Sequence, residues 1–521
     1  MSLNGLPDEV LLSIIGHFAE SEIDLATLCL TSRHLRSLTT PLLYQKLCCR
    51  DDNLVCRRVV PLTLRSLVRD RELGKFVRVL DISPRDSGYI GPLFDHEDKI
   101  LIQKAITEIV EIGYSKQHYG FSVTPDFDKW RLCKKWWEEA CEGKSFAMIA
   151  IILFLCPGLR QIYYLYGYYS DHLPNDREDN YVEWFFRVVR HSQQATRDGM
   201  VRIEPGGSVA QGPKNMTPML PNLRHGKFAF RPKGREQGDW GNMEVTMFIQ
   251  TPSAESLYLN GFIKPLQARP DFLMGLKSLT LQQCIFEASV LGNILQACVR
   301  LEYFSYSHGY PWTRFDEFDP LLMMEGLLSL SGSLRKLRLA RGIDRYFKSN
   351  SARDSKLGSL ASFKALTHLA LPVEFLVGMA PYTDTKAPKL WELVPKSLEY
   401  LLVGGLEAEV MLDFAQKEVL ELVKRKQSIA PKLTRIILQN IDPIAAGGCA
   451  LSPLKRASRE NEVSLSTYDG KTSEDSGIGI MLRSMSGNHR YYNGQGYHPF
   501  PNSRWPPGRL FDQQVTQLTY R

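Results

Sequence analysis

The hydrophobic pattern changes period along the chain, and each change marks an element. Over residues 6–18, LPDEVLLSIIGHF puts Val10, Leu11, Ile14, Ile15 and Phe18 at helical spacing, with Leu12 off the stripe. Pro7 suits the first helical position, where its missing N–H is no loss. Asp8 and Glu9 fall in the first turn, where the helix dipole favours anions. A second short helix is predicted with Asp24 as its cap, carrying Leu25, Leu28 and Leu30. A third follows Thr31-Ser32, carries Leu35 and Leu38, and ends at Pro41. Three helices this short bury too little surface to be stable alone, so the rest of the chain or a partner must cover their apolar faces.

Beyond this segment a different pattern recurs, L-x-x-L-x-L. It reads Val77-x-x-Leu80-x-Ile82, Leu159-x-x-Ile162-x-Tyr164, Ala254-x-x-Leu257-x-Leu259 and Leu276-x-x-Leu279-x-Leu281. It continues as Leu301-x-x-Phe304-x-Tyr306, Leu334-x-x-Leu337-x-Leu339, Leu366-x-x-Leu369-x-Leu371, Leu398-x-x-Leu401-x-Val403 and Leu433-x-x-Ile436-x-Leu438. From Leu257 onward the matching positions lie 22, 25, 33, 32, 32 and 35 residues apart. Helical patterns fall between them at 99–112, 130–155, 182–189, 287–298, 320–330 and 410–426. This spacing is that of leucine-rich repeats, each a short strand followed by a helix or loop. The expected fold is α/β: a short helical module, then an irregular solenoid with a parallel sheet on its concave side and helices on its convex side.

In such strands the leucines point inward and the residues between them point to the concave face. One row there is predicted to hold Tyr258, Thr280, Ser305, Arg338, Ala370, Leu402 and Ile437. A flanking row holds Ser278, Tyr303, Lys336, His368, Tyr400 and Arg435. Tyr258, Thr280, Ser305, Lys336, Arg338, His368 and Tyr400 are the candidate contacts to a target protein, with Lys336 and Arg338 the leading electrostatic pair.

Length and composition refine this. The 521 residues suffice for two or three domains, and a net charge of +7 from 64 basic and 57 acidic residues demands neither nucleic acid nor an anionic membrane. The expected boundaries are 1–48 for the helical module, 49–444 for the solenoid with a mobile insertion at 192–245, and 445–521 for a mostly disordered tail. Eight Lys/Arg against two acids between Arg197 and Arg235 leave open an anion-binding loop. The longest apolar run, Phe146–Cys156, has eleven residues and stops at Pro157-Gly158, which suits a buried helix better than a membrane span. With no secretory pattern and no paired CxxC, the ten cysteines read as reduced thiols of the cytoplasm or nucleus. Cys48-Cys49…Cys56 is a weak metal candidate without a nearby histidine, so no metal or cofactor is expected.

The first 47 residues resemble an F-box. The match is carried by Leu6-Pro7-x-Glu9-Val10-Leu11-x-x-Ile14, then Asp24-Leu25, then Leu28-Cys29-Leu30-Thr31-Ser32-Arg33-x-Leu35-Arg36-x-Leu38. The ending Thr40-Pro41-Leu42-Leu43-Tyr44 is similar to fungal versions, and Leu35 stands where many F-boxes carry an aromatic. The resemblance implies a trihelical module that docks on a Skp-type adaptor of a cullin–RING ubiquitin ligase. It assigns the adaptor contacts to Leu6, Pro7, Val10, Leu11, Ile14, Leu25, Leu28 and Leu30. The chain would then recruit an unknown target protein through its repeats. No catalytic motif is present: there is no P-loop, G-x-S-x-G or H-E-x-x-H. A repeat scaffold that folds its N-terminal helices back as a cap is the alternative, and nucleic-acid binding through the basic insertion a weaker third. No membrane partner is expected.

Overall fold

The computed structural model describes residues 6–18, 21–50, 59–83, 94–114, 129–166, 181–198, 219–230, 245, 248–249, 251–262, 273–308, 320–341, 357–377, 389–404, 408–439, 441 and 450–468. They fall into two compact units, Met1–Ala254 and Glu255–Arg521.

The first unit opens with α1 (Asp8–Gly16), α2 (Glu22–Thr31) and α3 (Arg33–Leu43). Ser21, not Asp24, caps α2: its hydroxyl accepts from the Asp24 N–H at 3.3 Å. Ser32 caps α3 in the same way, 3.1 Å from the Leu35 N–H. Pro41 does not end α3 but lies inside its last turn. The carbonyl it deprives of a donor belongs to Ser37, which is exposed. Pro7 precedes α1 as its N-cap.

Four strands follow, β1 (Lys46–Arg50), β2 (Val79–Ser83), β3 (Gln161–Tyr166) and β4 (His225–Phe230), parallel and adjacent in chain order. The helices of this unit are Val59–Arg69, Arg71–Gly74, His96–Tyr114, Lys129–Cys141, Ser145–Leu155 and Tyr181–Asp198. The predicted 130–155 helix is therefore two, broken where Gly143 takes φ 89°, a conformation that costs other residues more. The apolar run is a core helix: from Ala147 to Leu153 no side chain exceeds 1% exposure. No helix among the described residues is long and apolar enough to cross a membrane.

The second unit continues with β5 (Ser256–Asn260), β6 (Ser278–Cys284), β7 (Tyr303–His308), β8 (Lys336–Arg341), β9 (His368–Pro372), β10 (Tyr400–Gly404), β11 (Arg435–Gln439) and β12 (Ser464–Tyr468). Each is parallel to its neighbours, again in chain order. The second leucine position of the motif forms one ladder, Leu257, Leu279, Phe304, Leu337, Leu369, Leu401 and Ile436, nowhere more than 1% exposed. This is the expected α/β solenoid pattern.

One corner repeats throughout. The carbonyl after the first leucine of a motif accepts from two successive N–H groups of the next repeat. Lys277 accepts from Glu302 and Tyr303, Arg335 from Thr367 and His368, Thr367 from Glu399 and Tyr400. The first leucine, buried at 0% in each of these repeats, fixes where that carbonyl points. Between the strands, the helices Ala288–Ala297 and Pro320–Leu328 meet glycine to glycine: a Cβ on Gly326 would lie 2.5 Å from the Gly292 carbonyl oxygen.

Three boundaries move. The expected insertion at 192–245 contains the end of the Tyr181–Asp198 helix and all of β4. The expected tail from 445 contains a helix, Ser452–Glu460, and β12 paired to β11. Strand β1 likewise begins at Lys46, inside the span given to the helical module. In each case pairing with an adjacent strand supplies the order that local sequence did not advertise. The centre of the insertion (199–218 and 231–244), the chain beyond 468 and Cys56 lie outside the described residues.

Candidate functional site

Two surfaces bear the chemistry. The first is the trihelical module. Its core is Leu11, Ile15, Leu25 and Leu35, with Leu6, Leu28, Leu38, Leu42 and Leu43 packed half-buried against it. The amphipathic stripe of α1 is wider than this core can cover. Leu11 and Ile15 are buried, while Val10, Leu12, Ile14 and Phe18 are 38–43% exposed. On α2, Ile23 and Leu30 stand 80% and 79% exposed.

This sorts the predicted adaptor contacts. Leu11 and Leu25 are internal packing and cannot meet a partner directly, which corrects their assignment. Leu6 and Leu28 are shared between the module's own packing and its surface. Pro7, Val10, Ile14 and Leu30 are exposed. Sequence reading missed Ile23. The signal was there, since Ile23 and Leu30 are seven residues apart and so share one helix face.

The second surface is the strand face opposite the leucine ladder. The predicted row is in register: Tyr258 pairs Thr280, Thr280 pairs Ser305, Ser305 pairs Arg338, and Arg338 pairs Ala370. It runs on through Leu402 and Ile437. The flanking row aligns Ser278, Tyr303, Lys336, His368, Tyr400 and Arg435. Here His368 stacks on Tyr400 at 5.5 Å and the Arg435 guanidinium lies 6.0 Å from the same ring. The Tyr258 hydroxyl donates to Gln282, and burial holds that phenol above its ordinary pKa.

Exposure is where this row departs from expectation. Tyr258, Lys336, Arg338 and His368 are half-buried, but Thr280, Ser305 and Tyr400 are buried. Ala340, Ala370, Tyr400, Leu402 and Ile437 form an apolar cluster of their own, none above 7% exposure. Alternation along a strand assigns a side chain to a face but does not say whether that face is open. Thr280, Ser305 and Tyr400 are therefore not free contact residues in this conformation.

Four of the cysteine thiols are deeply buried. Burial pushes the Cys49, Cys284 and Cys298 thiols up to about 12, and Cys156 higher still. Since the thiolate is the reactive form, these four should resist iodoacetamide at pH 8 in the folded protein and react once it is unfolded. Mass spectrometry of the modified peptides checks this, and rapid native labelling of Cys284 would contradict it. Among the described residues no three His, Cys, Asp or Glu side chains are grouped to hold a metal ion.

Comparison with known families matches two segments. The model of a leucine-rich repeat domain covers residues 175–450, more than half of the chain, and that of an F-box-like domain covers residues 3–50. No curated protein matches the chain.

Proposed function

This chain belongs to the leucine-rich repeat domain family and carries an F-box-like domain before its repeats, and from that premise we propose that it is a substrate-recognition subunit of a Skp–cullin–F-box ubiquitin ligase. Both families are typically non-enzymatic interaction modules. In this reading α1 and α2 dock on a Skp-type adaptor and the repeats hold the target protein. The ligase partners supply the chemistry. This chain supplies proximity, raising the target's effective concentration at the ubiquitin donor.

The observation that carries the reading is the set of exposed apolar side chains on the module. Val10, Ile14, Ile23 and Leu30 remain exposed although the module has a closed core of its own. A helical cap folded onto its own repeats would hide these side chains. A surface waiting for a second protein would not. On the target side, Tyr258, Lys336, Arg338 and His368 are the accessible members of the strand face and the better candidates for contact.

The test is equilibrium binding of the full chain to a purified Skp-type adaptor. Replacing Val10, Ile14 and Leu30 together by Glu should weaken binding at least about 100-fold, or about 2.7 kcal/mol. The melting temperature should stay put, because none of the three belongs to the module's core. Equal affinity of the two forms would sink the ligase assignment.

A further inference from the structure

The second unit has a cavity that the proposed function leaves unused. It lies where three successive helix-to-strand corners meet, ahead of β9, β10 and β11. Its volume is about 420 Å³, and its lining includes Phe363, Val394, Trp391, Lys364, Lys396 and Ser428. Phe363 and Val394 are buried and Trp391 half-buried, while Lys364 and Lys396 are exposed at the rim.

The corners are tied to one another, so the cavity exists before any ligand arrives. The Lys364 N–H donates to the Ser331 carbonyl at 3.0 Å. The Ser397 hydroxyl reaches the carbonyls of Leu366 and Phe363, at 2.8 and 3.1 Å. Ser359 reaches the Glu392 carbonyl at 3.1 Å. Trp391 sits on the short helix Leu390–Leu393, whose first N–H is taken by the buried Glu418 carboxylate at 2.9 Å. Lys389 completes that anchor, 3.4 Å from Glu418. A preformed site spares a ligand the ordering cost that usually weakens binding.

The charge around it is one-sided. Among the described residues no acidic side chain lines the cavity. Lys364 and Lys396 hold no carboxylate among the described residues, whereas Lys389, Lys417 and Lys424 of the same unit each do. Arg425 adds a third cation, 4.9 Å above the Trp391 ring, and is itself paired with Glu421 at 3.5 Å. Apolar floor, aromatic wall and the two lysines of the rim are complementary to one kind of ligand: an apolar side chain flanked by carboxylates.

We propose that this cavity is a second docking site, for an acidic peptide segment that inserts an aromatic or large aliphatic side chain between Lys364 and Lys396 against Trp391. It is separate from the strand face and needs no adaptor, so it stands or falls independently of the ligase assignment.

Fluorescence anisotropy on the full chain tests it with three fluorescein-labelled peptides. One is acidic with a central Phe, one is the same with Ala for Phe, and one carries Lys in place of every acid. The acidic Phe peptide should bind with a micromolar Kd and the Ala and Lys peptides at least 10-fold more weakly. The double substitution Lys364→Glu, Lys396→Glu lies at exposed positions that leave the fold intact, and it should cost the acidic Phe peptide at least 10-fold. Raising salt from 50 to 500 mM should weaken that peptide and not the Lys peptide. Undiminished affinity in the charge-reversed protein, or equal binding of the Phe and Ala peptides, would overturn the proposal.

Discussion

Gly74→Ala should cripple the first unit, while Gly16→Ala, the same chemical change fifty-eight positions earlier, should slightly strengthen it. Gly74 ends the helix Arg71–Gly74 and lies against the last residue of Ser145–Leu155. A Cβ there would sit 1.8 Å from the Leu155 carbonyl oxygen and 2.9 Å from its carbon. Both atoms are backbone, so no rotamer change relieves the overlap. One helix end must move by more than 1 Å at a place where interiors are close-packed. The Arg78 guanidinium spans the same corner, donating to the carbonyls of Lys75 and Gly158 at 2.7 and 3.0 Å. That clasp opens as the helix ends separate. Overpacking of this kind costs about 3 kcal/mol or more. Gly16, by contrast, ends α1 with no atom within 4 Å of the added methyl. Alanine there gains up to about 1 kcal/mol from helix propensity. Thermal melting of both variants settles the matter, and a neutral Gly74→Ala would mean that this contact does not hold the unit together.

Trp136→Ala should be comparably damaging. Trp136 is fully buried on Lys129–Cys141. Its ring stacks on Tyr181 at 4.9 Å and meets the edge of Trp184 at 5.7 Å. Its indole N–H donates to the Ala147 carbonyl at 2.9 Å, which links it to the core helix Ser145–Leu155. Truncation removes the joint of three helices and leaves a cavity that close-packed neighbours cannot fill. The expected loss is about 3–5 kcal/mol, which lowers the melting of a unit this size by about 10 °C. Trp136→Phe keeps a stacking ring and should lose about half as much. Equal losses would show that the hydrogen bond, and not the ring volume, carries the stability.

How far the sequence reveals this protein depends on whether a position's neighbours are local. The leucine ladder was legible because each strand repeats its own pattern. Strand β4 was not. In its motif, Leu223-x-x-Gly226-x-Phe228, glycine stands where leucine belongs. A Cβ on Gly226 would lie 2.5 Å from the Phe248 ring, so a side chain twenty-two residues away in sequence fills that place. Strands β1 and β12 were hidden by similar replacements, Cys49 pairing with Ile82 in β1 and Thr467 with Leu438 in β12. The module shows the complementary limit. Periodicity put Leu11 and Ile14 on one stripe, but only the packing of α2 and α3 decides that Leu11 is covered and Ile14 is not. On the strand face, register followed from alternation, whereas the burial of Thr280, Ser305 and Tyr400 did not.

The order of strands in the second unit has a further consequence. From β5 to β12 each strand pairs, among the described residues, with the strand before and the strand after, and the corner carbonyls serve the next repeat. A stretch of about thirty residues duplicated within the gene would therefore add one rung without rethreading the rest, and a deletion of the same length would remove one. The motifs stand 22 to 35 residues apart, so the corner and its leucines tolerate connections of unequal length between one rung and the next.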